Sequence, residues 1–281
     1  MPRNSSAVTF NEEENKLTFT TQYQGSSFLE LLHSDFQHVL PTVPQSEYGE
    51  ARQAANLPTA TTILAVCYQD GVLIAGDRRA VEGHRISSRR IEKVFKTDSY
   101  SAMGVAGVAA LCLDLAKLFC TELEHYEKIE GEQLMLDGKA NKLAHMLKQN
   151  FPMAIQGLVV VPIFVGYDPQ RKAGRIFKYD VIGGLYEETD YYATGSGGKD
   201  ARNTIKKLYR PGMDEEQAIK IAVEALYDAS EEDAATGGPD ALRHIYPNLK
   251  TVTVKGVQDV ADDHMAELYN ALLAAQFGET A

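Results

Sequence analysis

One stretch constrains the fold of this chain more than any other: residues 61–77, TTILAVCYQDGVLIAGD. It holds two short runs rich in β-branched and apolar residues, joined at Asp70-Gly71. An Asp-Gly pair between two such runs is a strong signal for a β-hairpin. A hairpin that turns there brings the segment from Asp77 to Ala80 back beside Thr61.

Beyond this hairpin the predicted elements come in groups of strands and pairs of helices. In chain order they are strands in RRIEKVFK and YSAMGVAG, helices over Val108–Glu124 and Asp137–Phe151, strands in GLVVVPIFVGYD and GRIFKYDVIGGLYEE, helices over Gly198–Tyr209 and Asp214–Ser230, a strand over Tyr246–Val257 and a helix over Asp262–Phe277. Such grouping favours antiparallel sheets with helices outside. The sequence therefore predicts an α+β protein, a four-layer αββα sandwich with two antiparallel sheets between helix layers.

The first 60 residues differ in amino-acid composition from the rest of the chain. They are rich in Ser, Thr, Gln, Asn and Glu, and they contain Pro41, Pro44 and Pro58. Apolar residues recur with helical spacing only around Phe28–Leu40, where one short helix is predicted. We therefore expect a loosely ordered leader over residues 1–60 and a folded domain over residues 61–281.

Composition and charge argue against several classes of partner. A formal net charge of −11, with no basic stripe, disfavours binding to a nucleic-acid backbone. The start of the chain lacks the apolar core of a signal peptide, and the longest apolar run, Leu158–Val165, is too short to span a bilayer. Three cysteines without a CxxC pair suit a reduced compartment. We therefore expect a cytoplasmic protein with no metal site, no cofactor, and neither nucleic acid nor membrane as partner.

Candidates for chemistry are few, because HExxH, GxSxG, P-loop and GxGxxG motifs are all absent. A strand that opens on Thr61-Thr62 directly after a polar leader is one candidate, although such threonines are usually structural. The charged residues Asp77, Arg78 and Arg79 at the end of the second strand are either a solvated strand end or functional. Lys93 lies between apolar neighbours, where a lysine commonly extends its amine to solvent.

Five separated motifs resemble those of proteasome β-subunits, and they occur in the same order. They are TTILAVCYQDGVLIAGDRRA, IEKVF, MGVAG, TGSG and DAATGG, which together span most of residues 61–257. The resemblance is to the bacterial, actinobacterial type that carries a long propeptide. It implies the N-terminal-nucleophile hydrolase fold and a threonine-type endopeptidase, made as a zymogen, that degrades unfolded proteins. It also implies proteasome α-subunits, other β-subunits in heptameric rings, polypeptide substrates and, indirectly, an ATPase unfoldase ring as partners.

Matched position by position, the resemblance implies a role for each residue of a candidate site. Thr61 is expected as the nucleophile, with its own α-amine as base, after autocatalytic cleavage of the Ala60–Thr61 bond. The other matched residues are Asp77 and Lys93 as charged partners, Gly107 as the oxyanion N–H donor, and Ser196, Asp233 and Thr236 as supporting groups. The implied specificity pocket is lined by Ala80, Val81, Ile91, Phe95, Val105 and Ala109. This mostly apolar set predicts cleavage after apolar or aromatic residues.

The chain departs from the family pattern at three positions. Ala60 stands where Gly is usual, and it restricts the backbone geometry available for self-cleavage. Val81 replaces a customary Thr, and Thr236 replaces Ser but keeps the hydroxyl. Slower or less accurate processing is the expected consequence of Ala60.

Three other functions are compatible with parts of the pattern. The first is a non-catalytic ring subunit of the same fold. The second is another N-terminal-nucleophile hydrolase, such as a small-molecule amidase or the simpler bacterial threonine protease that pairs with an unfoldase. The third is a binding module in which every motif is structural. The joint presence of Thr61, Asp77 and Lys93 argues against the first, and the long leader argues against the second.

Overall fold

A computed structural model describes residues 8–11, 16–19 and 61–278. The chain divides into two units, Met1–Ala55 and Asn56–Ala281. The described residues of the first unit form an antiparallel pair of strands, β1 (Val8–Asn11) and β2 (Lys16–Phe19). The helix predicted over Phe28–Leu40 lies outside the described residues.

The hairpin predicted at the start of the second unit is present as β3 (Thr62–Tyr68) and β4 (Gly71–Gly76). Its turn consists of Gln69 and Asp70, one residue earlier than predicted. Gly71 is instead the first residue of β4, where a Cβ would lie 2.2 Å from the carbonyl oxygen of Val252. This glycine therefore permits close packing against a neighbouring strand and does not form the turn.

Ten further strands follow in the described part of the second unit. They are β5 (Ala80–Glu82), β6 (Arg85–Ser88), β7 (Val94–Asp98), β8 (Ser101–Gly107), β9 (Val160–Asp168), β10 (Ala173–Tyr179), β11 (Leu185–Glu188), β12 (Tyr191–Gly195), β13 (Asn248–Thr253) and β14 (Gly256–Asp259). One five-stranded sheet has the order β12-β3-β4-β13-β14 and the other the order β11-β10-β9-β8-β7, while β5 and β6 form a separate pair. All of these pairings are antiparallel.

Helices cover the outer face of each sheet. Within residues 61–278 they are α1 (Ala109–Glu130), α2 (Leu136–Gln149), α3 (Phe151–Ile155), α4 (Gly198–Leu208), α5 (Glu215–Glu232) and α6 (Asp262–Phe277). Residues of α1 and α2 pack on the sheet that contains β8, and residues of α4, α5 and α6 pack on the sheet that contains β3. No helix in this range is long and apolar enough to cross a lipid bilayer.

Alternation along β3 shows how the layers are held together. Leu64 and Val66 point into the apolar cluster shared with the helices, while Ile63 and Ala65 point into the cluster between the two sheets. Successive side chains of a strand face opposite sides, so a strand that is apolar throughout is buried on both faces. The observed order is helix, sheet, sheet, helix, which confirms the predicted four-layer sandwich.

Several predicted elements were wrong in extent or number. The strand predicted over Tyr246–Val257 is the hairpin of β13 and β14, because apolar alternation continues up to the turn and hides it. The segment from Gly174 likewise forms two strands, β10 and β11. Helix α1 runs beyond the predicted Glu124 and ends at Gly131, whose φ of +75° is a common helix terminator. Strands β5, β6 and β12 were not predicted.

Candidate active site

Thr61 lies just before β3 and is only 5% exposed. Its carbonyl oxygen accepts hydrogen bonds from the N–H of Ser196, at 2.9 Å, and from the Ser196 hydroxyl, at 3.4 Å. At Gly195, where φ is +99°, a Cβ would lie 1.9 Å from the same oxygen. The Thr-Gly-Ser-Gly segment at the end of β12 therefore holds the backbone of Thr61 in place.

Asp77 follows β4 and is completely buried. Its Oδ1 accepts hydrogen bonds from the N–H of Thr62, at 2.8 Å, and from Nζ of Lys93, at 2.6 Å. Its Oδ2 accepts from the N–H groups of Arg79 and Gly237, both at 2.8 Å. Four donors therefore converge on the two carboxyl oxygens, which fills the acceptor sites of this side chain. Asp77 is therefore an organising group beside Thr61 and not a solvated strand end.

Lys93 precedes β7 and is 4% exposed, so its amine does not extend to solvent. Its Nζ donates hydrogen bonds to Oδ1 of Asp77 and to the carbonyl oxygen of Arg79, both at 2.6 Å. Burial lowers the pKa of Lys93, and the charge of Asp77 opposes that shift. A buried ammonium with a lowered pKa gives up a proton more readily than a solvated one.

A chain of hydrogen bonds links Thr62 to the acidic residue of the last motif. Oγ1 of Thr62 lies 2.6 Å from Oγ1 of Thr236, which donates to Oδ2 of Asp233 at 2.6 Å. A hydroxyl has one proton, so Thr62 must be the donor to Thr236. Thr62 in turn accepts from the N–H of Gly197, at 2.9 Å. Each hydrogen bond in this series therefore has a fixed donor: Gly197 donates to Thr62, Thr62 to Thr236, and Thr236 to Asp233.

Asp233 collects several hydrogen bonds near Thr61. Burial raises the pKa of Asp233, but hydrogen bonds to its carboxylate outweigh this effect and hold the pKa below its usual value. The donors are Thr236, the N–H of Ala235 and the Ser196 hydroxyl, whose single proton is shared between Asp233 and the long contact to the carbonyl of Thr61. Asp233 therefore remains an acceptor near neutral pH, and it orients the hydroxyls of Ser196 and Thr236. All three supporting residues predicted from the motifs lie in one connected group.

A small cavity beside Thr61 corresponds to the predicted specificity pocket. Its lining consists of Thr61, Ala80, Ile91, Glu92, Lys93, Val105, Gly107, Ala109 and Cys112. Four of the six predicted pocket residues are among them. The other two are not: Val81 lies half-buried in β5, and Phe95 packs against α1 because its neighbour Val94 points between the sheets. Glu92 and Cys112 were missed by the sequence analysis.

Gly107 ends β8 and also lines this cavity. Its φ is +133°, and a Cβ there would lie 2.1 Å from the carbonyl oxygen of Val159. Only glycine combines that conformation with such a close approach. The backbone at Gly107 is consequently open to a ligand in the cavity, without a side chain between them.

Gly107→Ala is expected to destabilise the protein by about 2 kcal/mol or more and to lower peptidase activity. The added methyl group must displace the Val159 carbonyl and shift the edge of the cavity. Chemical denaturation and peptide hydrolysis measure the two effects. Gly131→Ala is the matched control, because its φ is also positive, at +75°, yet nothing lies within 4 Å of a Cβ there. Equal losses of stability and activity in both variants would contradict the role given to the Val159 contact.

Comparison with known proteins decides the family. A family model for proteasome subunits matches residues 57–245, which is more than half of the chain.

The chain belongs to the proteasome subunit family.

Several bacterial relatives are named proteasome subunit beta. The chain is 50% identical over 244 residues to that of Acidimicrobium ferrooxidans, covering 87% of this chain and 88% of the relative. It is 49% identical over 256 residues to that of Acidothermus cellulolyticus, with 89% and 87% covered. It is 46% identical over 285 residues to that of Rhodococcus jostii, with 97% and 96% covered. These similarities confirm the predicted β-type proteasome subunit and its threonine-type peptidase activity.

Sequence analysis of this proteasome subunit missed groups that act through the backbone or through distant partners. The carbonyl oxygen of Arg79 accepts a hydrogen bond from Lys93, and the N–H of Gly237 donates one to Asp77. The strand start at Thr61-Thr62 is a candidate in the sequence, but no specific role for Thr62 is predicted there, although its hydroxyl is buried and hydrogen-bonded. Arg79 and Gly237 both lie within the matched motifs, but a backbone group carries no residue-type signal, so the motifs alone do not reveal these contacts.

Proposed function

We propose that this proteasome subunit is made as an inactive precursor and that removal of residues 1–60 exposes Thr61 as the nucleophile of a catalytic domain over residues 61–281. One observation carries the proposal. Thr61, Lys93 and Gly107 line the same cavity, and Lys93 is buried there in contact with Asp77. Such a buried charge pair costs desolvation energy, so its position beside a threonine hydroxyl suggests a catalytic use.

The proposed base is created by cutting the backbone. A threonine hydroxyl needs a base before it attacks a carbonyl, and a free α-amine, with a pKa of about 7.7 to 8.0, is suited to that task near neutrality. While Thr61 is joined to Ala60 by a peptide bond, this amine does not exist. The ammonium of Lys93 lowers the pKa of the new amine, because like charges disfavour one another.

In the proposed reaction, Oγ1 of Thr61 attacks the substrate carbonyl carbon as the amine takes its proton. The oxyanion forms next to Gly107, whose N–H is proposed as its hydrogen-bond donor; one such donor is typically worth about 3–4 kcal/mol. The peptide C–N bond then breaks, and the leaving amine takes the proton from the Thr61 amine. Water hydrolyses the resulting ester and restores Thr61.

The same hydroxyl is proposed to release the propeptide. Oγ1 of Thr61 attacks the carbonyl carbon of Ala60 while a water molecule carries the hydroxyl proton to the nitrogen of Thr61. The Ala60–Thr61 C–N bond breaks, which frees the α-amine, and water then hydrolyses the ester between Ala60 and Thr61. Intact-mass measurement and N-terminal sequencing of the active particle are expected to show a chain that starts at Thr61. A stable full-length chain in active particles would refute the proposal, and so would a mature chain that starts at any other residue.

The pocket composition predicts what is cut. Ala80, Ile91, Val105 and Ala109 provide an apolar wall, and Glu92 lines the cavity as well. Apolar or aromatic residues before the cut are expected to give turnover about tenfold or more above that of acidic residues. A panel of fluorogenic peptides that differ only at this residue measures the ratio. Highest turnover after acidic or basic residues would contradict the proposed pocket.

Assembly and location are proposed from the family and from composition. We propose that the subunit assembles with proteasome α-subunits and with other β-subunits in heptameric rings, in the cytoplasm. Polypeptide substrates are proposed to reach the site from an ATPase unfoldase ring that this subunit does not contact directly. The proposal is supported by the relatives named proteasome subunit beta.

A further inference from the structure

A second cavity lies near the catalytic one and shares none of its lining residues. Three arginines, Arg78, Arg79 and Arg89, line it together with Asp240 and Gly237. The chain as a whole is acidic, with a formal net charge of −11. Three arginines around one cavity stand against this overall negative charge, and the proposed peptidase chemistry makes no use of their side chains.

Two of the three arginines, Arg78 and Arg79, form no ion pair with a carboxylate of residues 61–278 and instead donate to backbone carbonyl oxygens. Nη2 of Arg78 donates to the carbonyl oxygen of Arg90 at 3.3 Å, and Nη1 of Arg79 donates to that of Ala234 at 2.9 Å. A carbonyl accepts a hydrogen bond but does not neutralise a guanidinium. These contacts therefore satisfy N–H groups while the net positive charge stays in place.

The one carboxylate in the cavity lining is already paired. Oδ2 of Asp240 accepts from Nη1 of Arg243 at 2.7 Å. The hydrogen bond from Arg243, with a smaller contribution from the charge of Arg89, holds the pKa of Asp240 below its usual value. A further arginine, Arg90, lies close by and donates to the carbonyl oxygen of Arg243 at 2.6 Å. Positive groups thus surround the cavity and outnumber its single negative one.

One buried N–H donor at this cavity has no acceptor among the described residues. Nε of Arg78 is buried, and it has no hydrogen-bond partner within residues 61–278. Buried donors in folded proteins nearly always have a partner, which is protein, water or ligand. An acceptor placed in the cavity would lie near this N–H group and near the guanidinium groups of Arg79 and Arg89.

We infer that this cavity is a binding site for a small oxyanion of the phosphate type. The planar guanidinium group offers parallel N–H donors that match the oxygens of phosphate, and several arginines around one cavity suit a multiply charged anion. The site is joined to the catalytic group through the backbone, since the N–H groups of Arg79 and Gly237 both donate to Oδ2 of Asp77. An anion held there stabilises the segment that supports Asp77.

Thermal unfolding of the purified full-length chain in inorganic phosphate tests the inference. A ligand that binds the folded state raises the melting temperature in a saturable way. We expect such a rise at millimolar phosphate, relative to sodium chloride of equal ionic strength and pH. Arg89→Gln is expected to abolish the rise; Arg89 is exposed, so the variant is expected to fold. Calorimetric titration with phosphate is expected to show the same loss of binding.

Arg85→Gln is the matched control. Arg85 is an exposed arginine in the neighbouring strand β6 and does not line the cavity, so this variant removes the same charge and is expected to keep the phosphate effect. The inference is overturned if phosphate stabilises no more than chloride, or if Arg85→Gln loses the effect as fully as Arg89→Gln. Thr61→Ala is expected to bind phosphate normally, which separates this inference from the proposed catalytic role of Thr61.

Discussion

Thr61→Ala is expected to abolish both peptide hydrolysis and removal of the propeptide. The substitution deletes the only oxygen proposed to form a covalent bond with substrate, and removal of a nucleophile lowers hydrolase rates by about 1,000-fold or more. Hydrolysis of a fluorogenic peptide measures the first loss, and intact mass of the purified chain measures the second. The full-length mass is expected to persist.

Two controls make this result specific. Thr61→Ser keeps the hydroxyl but has more χ1 freedom, so it is expected to process its leader and to retain reduced activity. A Thr61→Ala chain produced without residues 1–60 separates failure of processing from failure of catalysis, because it begins with an α-amine at position 61 and lacks the hydroxyl together with one methyl group. Hydrolysis that survives in this last variant would show that Thr61 is not the nucleophile.

Asp77→Asn is expected to lower the free energy of unfolding by about 3–5 kcal/mol and to reduce peptidase activity severely. Asp77 is fully buried, and its two oxygens accept from Thr62, Lys93, Arg79 and Gly237. The amide of Asn is a donor on one side, so it opposes N–H groups on that side and leaves the ammonium of Lys93 without its counter-charge. Urea denaturation followed by circular dichroism measures the loss of stability.

A double-mutant cycle tests the reason for that loss. Lys93→Met removes the charge that Asp77→Asn leaves unpaired, and the double variant is therefore expected to lose less stability than the sum of the single variants. Activity should stay lost in all three, since each lacks a group of the proposed site. Glu124→Gln is a surface control: Glu124 pairs with Lys128 at 66% and 72% exposure, and its loss is expected to change stability little. Additive losses in the cycle would contradict a coupled buried pair.

The sequence already indicated most of the helices, many of the strands and the hairpin that places Asp77 beside Thr61. Local patterns explain this success: β-branched runs, turn residues and helical spacing act over a few neighbouring residues. The motif resemblance also pointed to Lys93, Ser196 and Asp233, which the structure brings to the same end of the sheets. The same local signals failed at β13 and β14, where alternation of apolar residues runs up to the turn.

The sequence by itself thus determines most of the helices and strands and the burial of β3 on both faces. It also determines which functional groups are present near the start of β3. Only the tertiary structure decided that Thr62 donates to Thr236, 174 residues away, that Phe95 turns towards α1, and that arginines from separate loops line one cavity. The reason is physical: such contacts depend on how strands pair and which face each one buries. Those choices are made by packing across the whole molecule, and no stretch of neighbouring residues encodes them.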